Sequence, residues 1–145
     1  MPGRPPLALA VALLACSCSY GSQVPGPLAL QPRARGAAVG VCASVVAALP
    51  ATLAGQRRRA TEPASTTTAA WGNPPITLVC GVPAGSSLDD PYEFDGVRWA
   101  LHDVGDARAW TTLGRRVNVV VTIHDKYDGQ AELLGSLATA LRPTA

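Results

Sequence analysis

The sequence predicts an α+β domain in which an antiparallel sheet of about four strands carries an N-terminal and a C-terminal helix on one face, with one disulfide. Three observations predict this class. Apolar residues recur at helical spacing near both ends of the globular part, and short runs with alternating apolar residues lie between them. These runs are joined by loops rather than by helices, which favours antiparallel pairing.

The first helix is predicted over residues 39–54. Its apolar residues fall on a single helical stripe: Val41, Cys42, Val45, Val46, Leu49 and Leu53. Pro50 is expected to end or kink this helix, because proline lacks the backbone N–H that a helix needs. Residues 57–70 are rich in Arg, Ser and Thr and predict a polar, low-complexity loop.

Four strands and a second helix are predicted after this loop. The first strand opens at Ile76, after two prolines, and closes before Gly81. The other strands are expected near residues 97–101, 108–113 and 116–124. The second helix is predicted over about residues 129–141, with Asp128 as N-cap and Pro143 as its stop.

Two cysteines of the predicted domain point to one interior. Cys42 lies on the apolar stripe of the first helix, and Cys80 shares the inward face of the first strand with Ile76 and Leu78. We expect a structural disulfide, worth about 4 kcal/mol in the chain-entropy model. The alternatives are buried free thiols, a redox pair or a metal site, although the sequence has no Cys-x-x-Cys motif around these residues.

The N-terminus has the layout of a bacterial lipoprotein signal. Arg4 precedes a short apolar stretch over residues 7–15, and Cys16 follows a small residue. The stretch is far shorter than the ~20 residues of a membrane-spanning helix. We expect Cys16 to carry the lipid, with Cys18 as the alternative acceptor.

This layout divides the chain into three parts. Residues 1–15 are predicted to be a lipoprotein signal peptide, residues 16–38 a flexible Pro/Gly-rich tether, and residues 39–145 a single α+β domain. The protein is therefore expected to be exported and held by its lipid at the outer face of the cytoplasmic membrane. That compartment is oxidising, which agrees with a disulfide.

Composition argues against several classes of function. The chain of 145 residues carries 12 basic and 10 acidic residues, so it has no strong excess of positive charge for nucleic-acid binding. It has no Gly-x-Ser-x-Gly turn and no glycine-rich phosphate loop. We predict no catalytic residues, no cofactor and no metal.

Two groups of polar residues are the candidates for metal or acid–base chemistry. An acidic loop could offer oxygen ligands to Ca²⁺ from Asp89, Asp90, Glu93 and Asp95, but its spacing is not that of a calcium loop. Two His-Asp dipeptides, His102-Asp103 and His124-Asp125, lie at strand ends and could meet if those strands are neighbours. We favour a solvated loop and exposed histidines. Two tryptophans, Trp71 and Trp110, could instead line a ligand groove, whereas Trp99 is expected in the core.

The motifs around these residues resemble one family. Trp71-Gly-Asn-Pro-Pro-Ile-Thr-Leu-Val-Cys80-Gly, then Gly96-Val-Arg-Trp99, and then Thr112-Leu-Gly-Arg115 before a valine-rich strand are similar to the actinobacterial exported proteins called domain of unknown function 3515. The resemblance covers about residues 40–141. It implies a short exported or membrane-anchored protein, encoded near genes of peptidoglycan-precursor synthesis, and it brings no catalytic residues.

The sequence therefore predicts a membrane-anchored, extracytoplasmic lipoprotein that acts as a non-catalytic interaction or structural module of the cell envelope. Its expected partners are the membrane, through the lipid, and an envelope protein or cell-wall component. The alternative is a ligand-binding lipoprotein for a cell-wall precursor or a small solute. A third hypothesis is an envelope enzyme that uses the two His-Asp dipeptides. The oligomeric state is not predicted.

Overall fold

The computed structural model describes residues 25–85 and 90–145, together with Met1 and Gly3. The described strands form one antiparallel sheet of eight strands and a separate parallel sheet of two, accompanied by two α-helices. The predicted α+β class, with about four strands and two flanking helices, is therefore wrong. The fold is mostly β.

The elements follow one another along the chain in this order: β1 (Leu28–Ala29), α1 (Ala38–Ala48), β2 (Thr52–Leu53), β3 (Gln56–Arg59), β4 (Thr61–Glu62), β5 (Thr68–Trp71), β6 (Ile76–Val82), β7 (Tyr92–Phe94), β8 (Val97–Asp103), β9 (Ala107–Thr112), β10 (Asn118–His124), α2 (Gln130–Ser136) and a final 3₁₀ turn (Arg142–Thr144). The large sheet has the order β2-β3-β5-β6-β10-β9-β8-β7, and β1 pairs with β4. None of the described helices is long and apolar enough to cross a membrane.

The middle of the large sheet matches the strands that alternation predicts. β6, β8, β9 and β10 lie within a few residues of the expected bounds. The inward residues of these strands, among them Ile76, Leu78, Val119, Val121 and Ile123, are fully buried in one hydrophobic core. Period-two patterning therefore predicts the centre of the sheet correctly, because one face of each of these strands is in the core.

The strands that the sequence analysis missed extend the sheet at both edges. The predicted loop over residues 57–70 contains most of β3, all of β4 and most of β5, so that prediction is wrong. The guanidinium of Arg58 lies 5.2 Å from the ring centroid of Trp71, and Arg59 donates hydrogen bonds to the carbonyl oxygens of Gly26 and Gly72. Arginines fit a strand here because distant segments give them partners, which composition does not reveal.

Both helices are shorter than predicted. α1 ends at Ala48 because Leu49, which precedes Pro50, has an extended backbone with ψ of 146°. Residues 52–53, predicted to be helical, form β2 instead. α2 ends at Ser136 and is capped by Gly129 in the left-handed region, not by Asp128.

The predicted disulfide is confirmed. Cys42 and Cys80 are bonded, with a Cα–Cα distance of 5.5 Å and a sequence separation of 38 residues. Both residues are fully buried. The bond joins α1 to the central strand β6 inside the core.

The chain before α1 crosses the end of β6 at very close range. The register between β6 and β10 shifts at Asn118 and Val119, opposite Gly81. Gly81 has φ of +84°, and a Cβ at that position would lie 2.5 Å from the Cα of Ala34. Only glycine fits this crossing without displacing backbone.

Candidate functional site

The predicted lipid acceptors, Cys16 and Cys18, lie outside the described residues. The described part of the predicted tether is residues 25–38. It contacts the domain, since β1 pairs with β4, and Ala34 belongs to the core. Signal peptide, tether and lipid attachment stay predictions.

The two tryptophans proposed for a ligand groove both lie in the hydrophobic core. Trp71 is 0% exposed, and its indole N–H donates to the carbonyl oxygen of Pro50 at 3.0 Å. Trp110 is 5% exposed and donates to Oε1 of Gln130 at 2.9 Å. Their polar atoms are thus already bonded within the protein, and packing accounts for their positions.

The two His-Asp dipeptides do not come together. β9 lies between their strands, with His124 opposite Ala107 and His102 opposite Ala109 in the register. His124 accepts the backbone N–H of Lys126 at Nδ1, so its Nε2 carries the proton toward Asp106, 3.1 Å away.

The aspartates of the two dipeptides approach an arginine instead. Nε of Arg108 lies 3.8 Å from Asp103 and 3.6 Å from Asp125, and all three side chains are substantially exposed. Exposed pairs of this kind contribute little stability. Across residues 25–85 and 90–145, no three His, Cys, Asp or Glu side chains are grouped closely enough to hold a metal. Asp89, from the predicted acidic loop, lies outside the described residues.

A strongly charged groove of the described structure was not predicted. It encloses about 400 Å³ between the β7–β8 turn, the β9–β10 loop and the chain from α2 to the 3₁₀ turn. We call it the polar groove. Its lining is Asp95, Gly96, Val97, Arg115, Gly135, Ala138, Thr139 and Arg142. Three charged side chains from three separate segments therefore face one space.

The carboxylate of Asp95 is positioned by two glycines. Asp95 and Gly96 form a two-residue turn between β7 and β8, with φ of +49° and +77°. Asp-Gly is favoured in such turns because both residues tolerate positive φ. On the other side, a Cβ at Gly135 would collide with this carboxylate, so the glycine in α2 leaves room for it.

The charged side chains of the polar groove do not neutralise one another. Among the described residues, the ion pairs within 4.0 Å involve Arg108 and His124, and none involves Asp95, Arg115 or Arg142. The side chains of these three residues also make no hydrogen bond within the described part of the chain. No residue of the described part of the chain therefore occupies their charged groups.

A second groove adjoins the polar groove. It encloses about 350 Å³ and shares Thr139 with it. We call it the side groove. Its other lining residues are small or apolar except for two hydroxyls: Ala48, Pro50, Thr52, Leu53, Ala54, Ser136 and Ala140. Thr139 therefore borders a strongly polar space on one side and a less polar space on the other.

A third groove lies on the opposite face of the sheet, beside the chain that precedes α1. It encloses about 410 Å³ and is lined mainly by apolar groups, including Leu30, Val79 and Val120, with Arg33 at its side. Among the residues that the structure describes, its lining includes one cationic side chain and no anionic one, so fewer charged groups converge on it than on the polar groove.

Sequence reasoning missed the polar groove for a physical reason. Its charged residues are separated in the chain and are brought together only by the hairpin turn and by the end of α2. One local signal was present, since Asp95-Gly96 is a strong two-residue turn sequence between alternating strands. That signal predicts the turn but not what faces it.

Comparison with models of known protein families identifies the family of this chain. A family model described as a protein of unknown function (DUF3515) matches residues 5–144. The chain belongs to this family. The match confirms the DUF3515 resemblance and spans the whole described domain. No curated protein and no solved structure matches this DUF3515 protein.

Proposed function

We propose that this DUF3515 protein is a membrane-anchored, extracytoplasmic lipoprotein that serves as a non-catalytic module of the cell envelope. The observation that carries the proposal is the buried Cys42–Cys80 disulfide. Disulfides persist in oxidising compartments outside the cytoplasm, so this bond supports export. The apolar stretch before Cys16 supports a lipid anchor.

The arrangement of the titratable groups supports binding rather than catalysis. His102 is exposed, and His124 is engaged by Asp106 and by the backbone of Lys126. An acid–base enzyme needs such groups to converge on one reacting atom. The envelope enzyme that would use the two His-Asp dipeptides is the weakest of the three hypotheses.

The polar groove favours a second candidate function, a ligand-binding lipoprotein for a cell-wall precursor or a small solute. Its volume of about 400 Å³ lies in the range of small-ligand sites, and polar groups converge on it from three segments. An envelope interaction module and a ligand-binding module are compatible, because a bound ligand can itself belong to the envelope.

The anchoring is tested by fractionating cells that express the full chain, with metabolic labelling by a fatty-acid analogue. We expect the parent protein in the membrane fraction with the label, and the double variant C16A/C18A without label. The single variants C16A and C18A identify the acceptor and serve as controls for each other. An unlabelled parent protein in the soluble fraction would overturn the proposal.

The partner is tested by crosslinking the anchored protein in living cells and identifying what is captured by mass spectrometry. We expect a reproducible envelope component that is lost in the C16A/C18A variant, because detachment from the membrane separates the partners. Capture that is identical for the detached variant would contradict a role that depends on anchoring.

A further inference from the structure

The polar groove presents two guanidinium groups that no described residue neutralises. Arg115 is half-buried in the β9–β10 loop, and Arg142 is exposed at the start of the 3₁₀ turn. A guanidinium presents its N–H donors in a planar fork that matches a carboxylate or a phosphate. The groove therefore attracts an anionic oxygen group.

Asp95 restricts which anion fits. Its carboxylate lines the same groove and repels a doubly charged group such as a phosphate, which carries about −1.5 to −2 charges at neutral pH. A ligand that carries one carboxylate and an N–H donor on the same residue suits both the arginines and Asp95, because the carboxylate faces the arginines and the N–H donates to Asp95. The carboxyl terminus of a peptide has this pattern.

The side groove accounts for the rest of such a ligand. Thr139, which is exposed, lines both grooves, and the small residues of the side groove leave about 350 Å³ of space. The Ser136 hydroxyl lines it and donates to the carbonyl oxygen of Leu133 at 2.6 Å, so its oxygen can still accept a peptide N–H. A free amino acid would leave this space empty, whereas a short peptide fills it.

We propose that the polar groove binds the carboxyl terminus of a peptide, with the terminal carboxylate between Arg115 and Arg142 and the preceding residues passing Thr139 into the side groove. Asp95 accepts the N–H of the last peptide bond. This site deepens the ligand-binding form of the proposed function and rests on it. It names the ligand class as a peptide with a free carboxyl end, from a protein tail or from a cell-wall peptide.

The test is a titration of the full-length protein, followed by NMR chemical shifts and by calorimetry. The probes are tri-L-alanine, its C-terminal amide, its N-acetyl form, tri-D-alanine and inorganic phosphate. We expect saturable binding of the tripeptide and equal binding of its acetyl form, since the amino end lies outside the polar groove. The amide should bind at least about tenfold more weakly, because it lacks the charge-assisted bonds. Phosphate should also bind more weakly than the tripeptide.

Variants locate the site. R115Q and R142Q should each weaken binding of the tripeptide by about tenfold or more. R98Q is the matched control, because Arg98 is exposed on β8 and does not line either groove. D95N should narrow the preference for the tripeptide over phosphate, because it removes the charge that repels phosphate, and asparagine tolerates the positive φ of residue 95. The backbone amides of Gly96 and Gly135 should shift on titration.

Four results would each overturn the proposal: absence of saturable binding for both stereoisomers, equal binding of the amide, tighter binding of phosphate, or unchanged binding by both arginine variants. Preference for the L form indicates a protein tail, and preference for the D form indicates a wall peptide. Because the titration uses purified protein, it fails or succeeds independently of the labelling experiment on Cys16 and Cys18. Failure of this proposal is thereby distinguished from failure of the proposed anchoring.

Discussion

The carboxylate of Asp95 occupies the space that a Cβ at Gly135 would need. Gly135 lies inside α2, where a glycine costs about 1 kcal/mol of helix stability relative to alanine. The close contact with a charged side chain from the β7–β8 turn explains why this position tolerates that cost. The two residues together form one wall of the polar groove.

Replacing Gly135 by alanine tests this contact directly. In the parent, the gain in helix propensity is opposed by the collision with Asp95, so we expect G135A to change the free energy of unfolding by less than about 1 kcal/mol. In the D95G background the collision is absent, and G135A should stabilise by about 0.5–1 kcal/mol. Urea unfolding of the four proteins measures this coupling. Equal effects of G135A in both backgrounds would mean that the contact has no energetic consequence.

The crossing of Ala34 over β6 predicts a larger effect at Gly81. An alanine there combines positive φ with a Cβ that would lie 2.5 Å from the Cα of Ala34 and 2.9 Å from its backbone nitrogen. Backbone cannot move aside cheaply, so we expect G81A to destabilise by roughly 2–4 kcal/mol.

Gly105 is the matched control for this substitution. Its φ is +71°, close to that of Gly81, but nothing lies within 4 Å of a Cβ built there. G105A should therefore cost only the backbone term, about 1 kcal/mol. Thermal and urea unfolding compare the two variants. Equal losses for G81A and G105A would show that the crossing is not tightly packed in solution.

The centre of the fold could be predicted from sequence, whereas its edges could not. In β6, one face packs in the core, and its residues are Ile76, Leu78 and Cys80. The period-two pattern of apolar residues in the local sequence therefore indicates which residues are buried. β3 is held by Arg58 on Trp71 and by Arg59 on Gly26, which are contacts with distant segments. The local sequence of an Arg-rich stretch does not show which distant residues these arginines contact.

The same limit applies to function. The sequence leaves Trp71 and Trp110 open as groove residues, yet both donate their indole N–H groups to partners inside the protein and lie in the core. The polar groove depends on Asp95, Arg115 and Arg142, which only the tertiary structure brings together. The disulfide could be predicted because both cysteines belong to strongly patterned elements.

Removing the disulfide should cost much of the stability of the domain. The bond closes 38 residues, and the chain-entropy model gives about 4 kcal/mol for a loop of this length. We expect C42A/C80A to unfold at a much lower urea concentration than the oxidised parent. Reductant should lower the midpoint of the parent and leave that of C42A/C80A unchanged, which makes the variant its own control. An unchanged midpoint for the reduced parent would contradict a stabilising role.

Tyr127 is expected to make the free energy of unfolding depend on pH in the alkaline range. Its side chain is buried, and its hydroxyl donates to the carbonyl oxygen of Pro74 at 2.7 Å. Burial raises the pKa of Tyr127 above the ordinary value of 10.0, because desolvation disfavours the phenolate. The neutral side chain therefore contributes stability that is fully present below pH 10.0 and is lost as the pH rises toward the folded pKa, since the unfolded chain releases the proton first.

The variant Y127F separates this effect from general alkaline unfolding. It should lose about 1 kcal/mol at neutral pH, because the hydrogen bond to Pro74 is gone. Above pH 10.0 its free energy of unfolding should fall less steeply than that of the parent, because phenylalanine has no proton to release. Urea unfolding at a series of pH values on both sides of that point measures both slopes. If the two slopes were the same, Tyr127 would not be the group that links stability to alkaline pH.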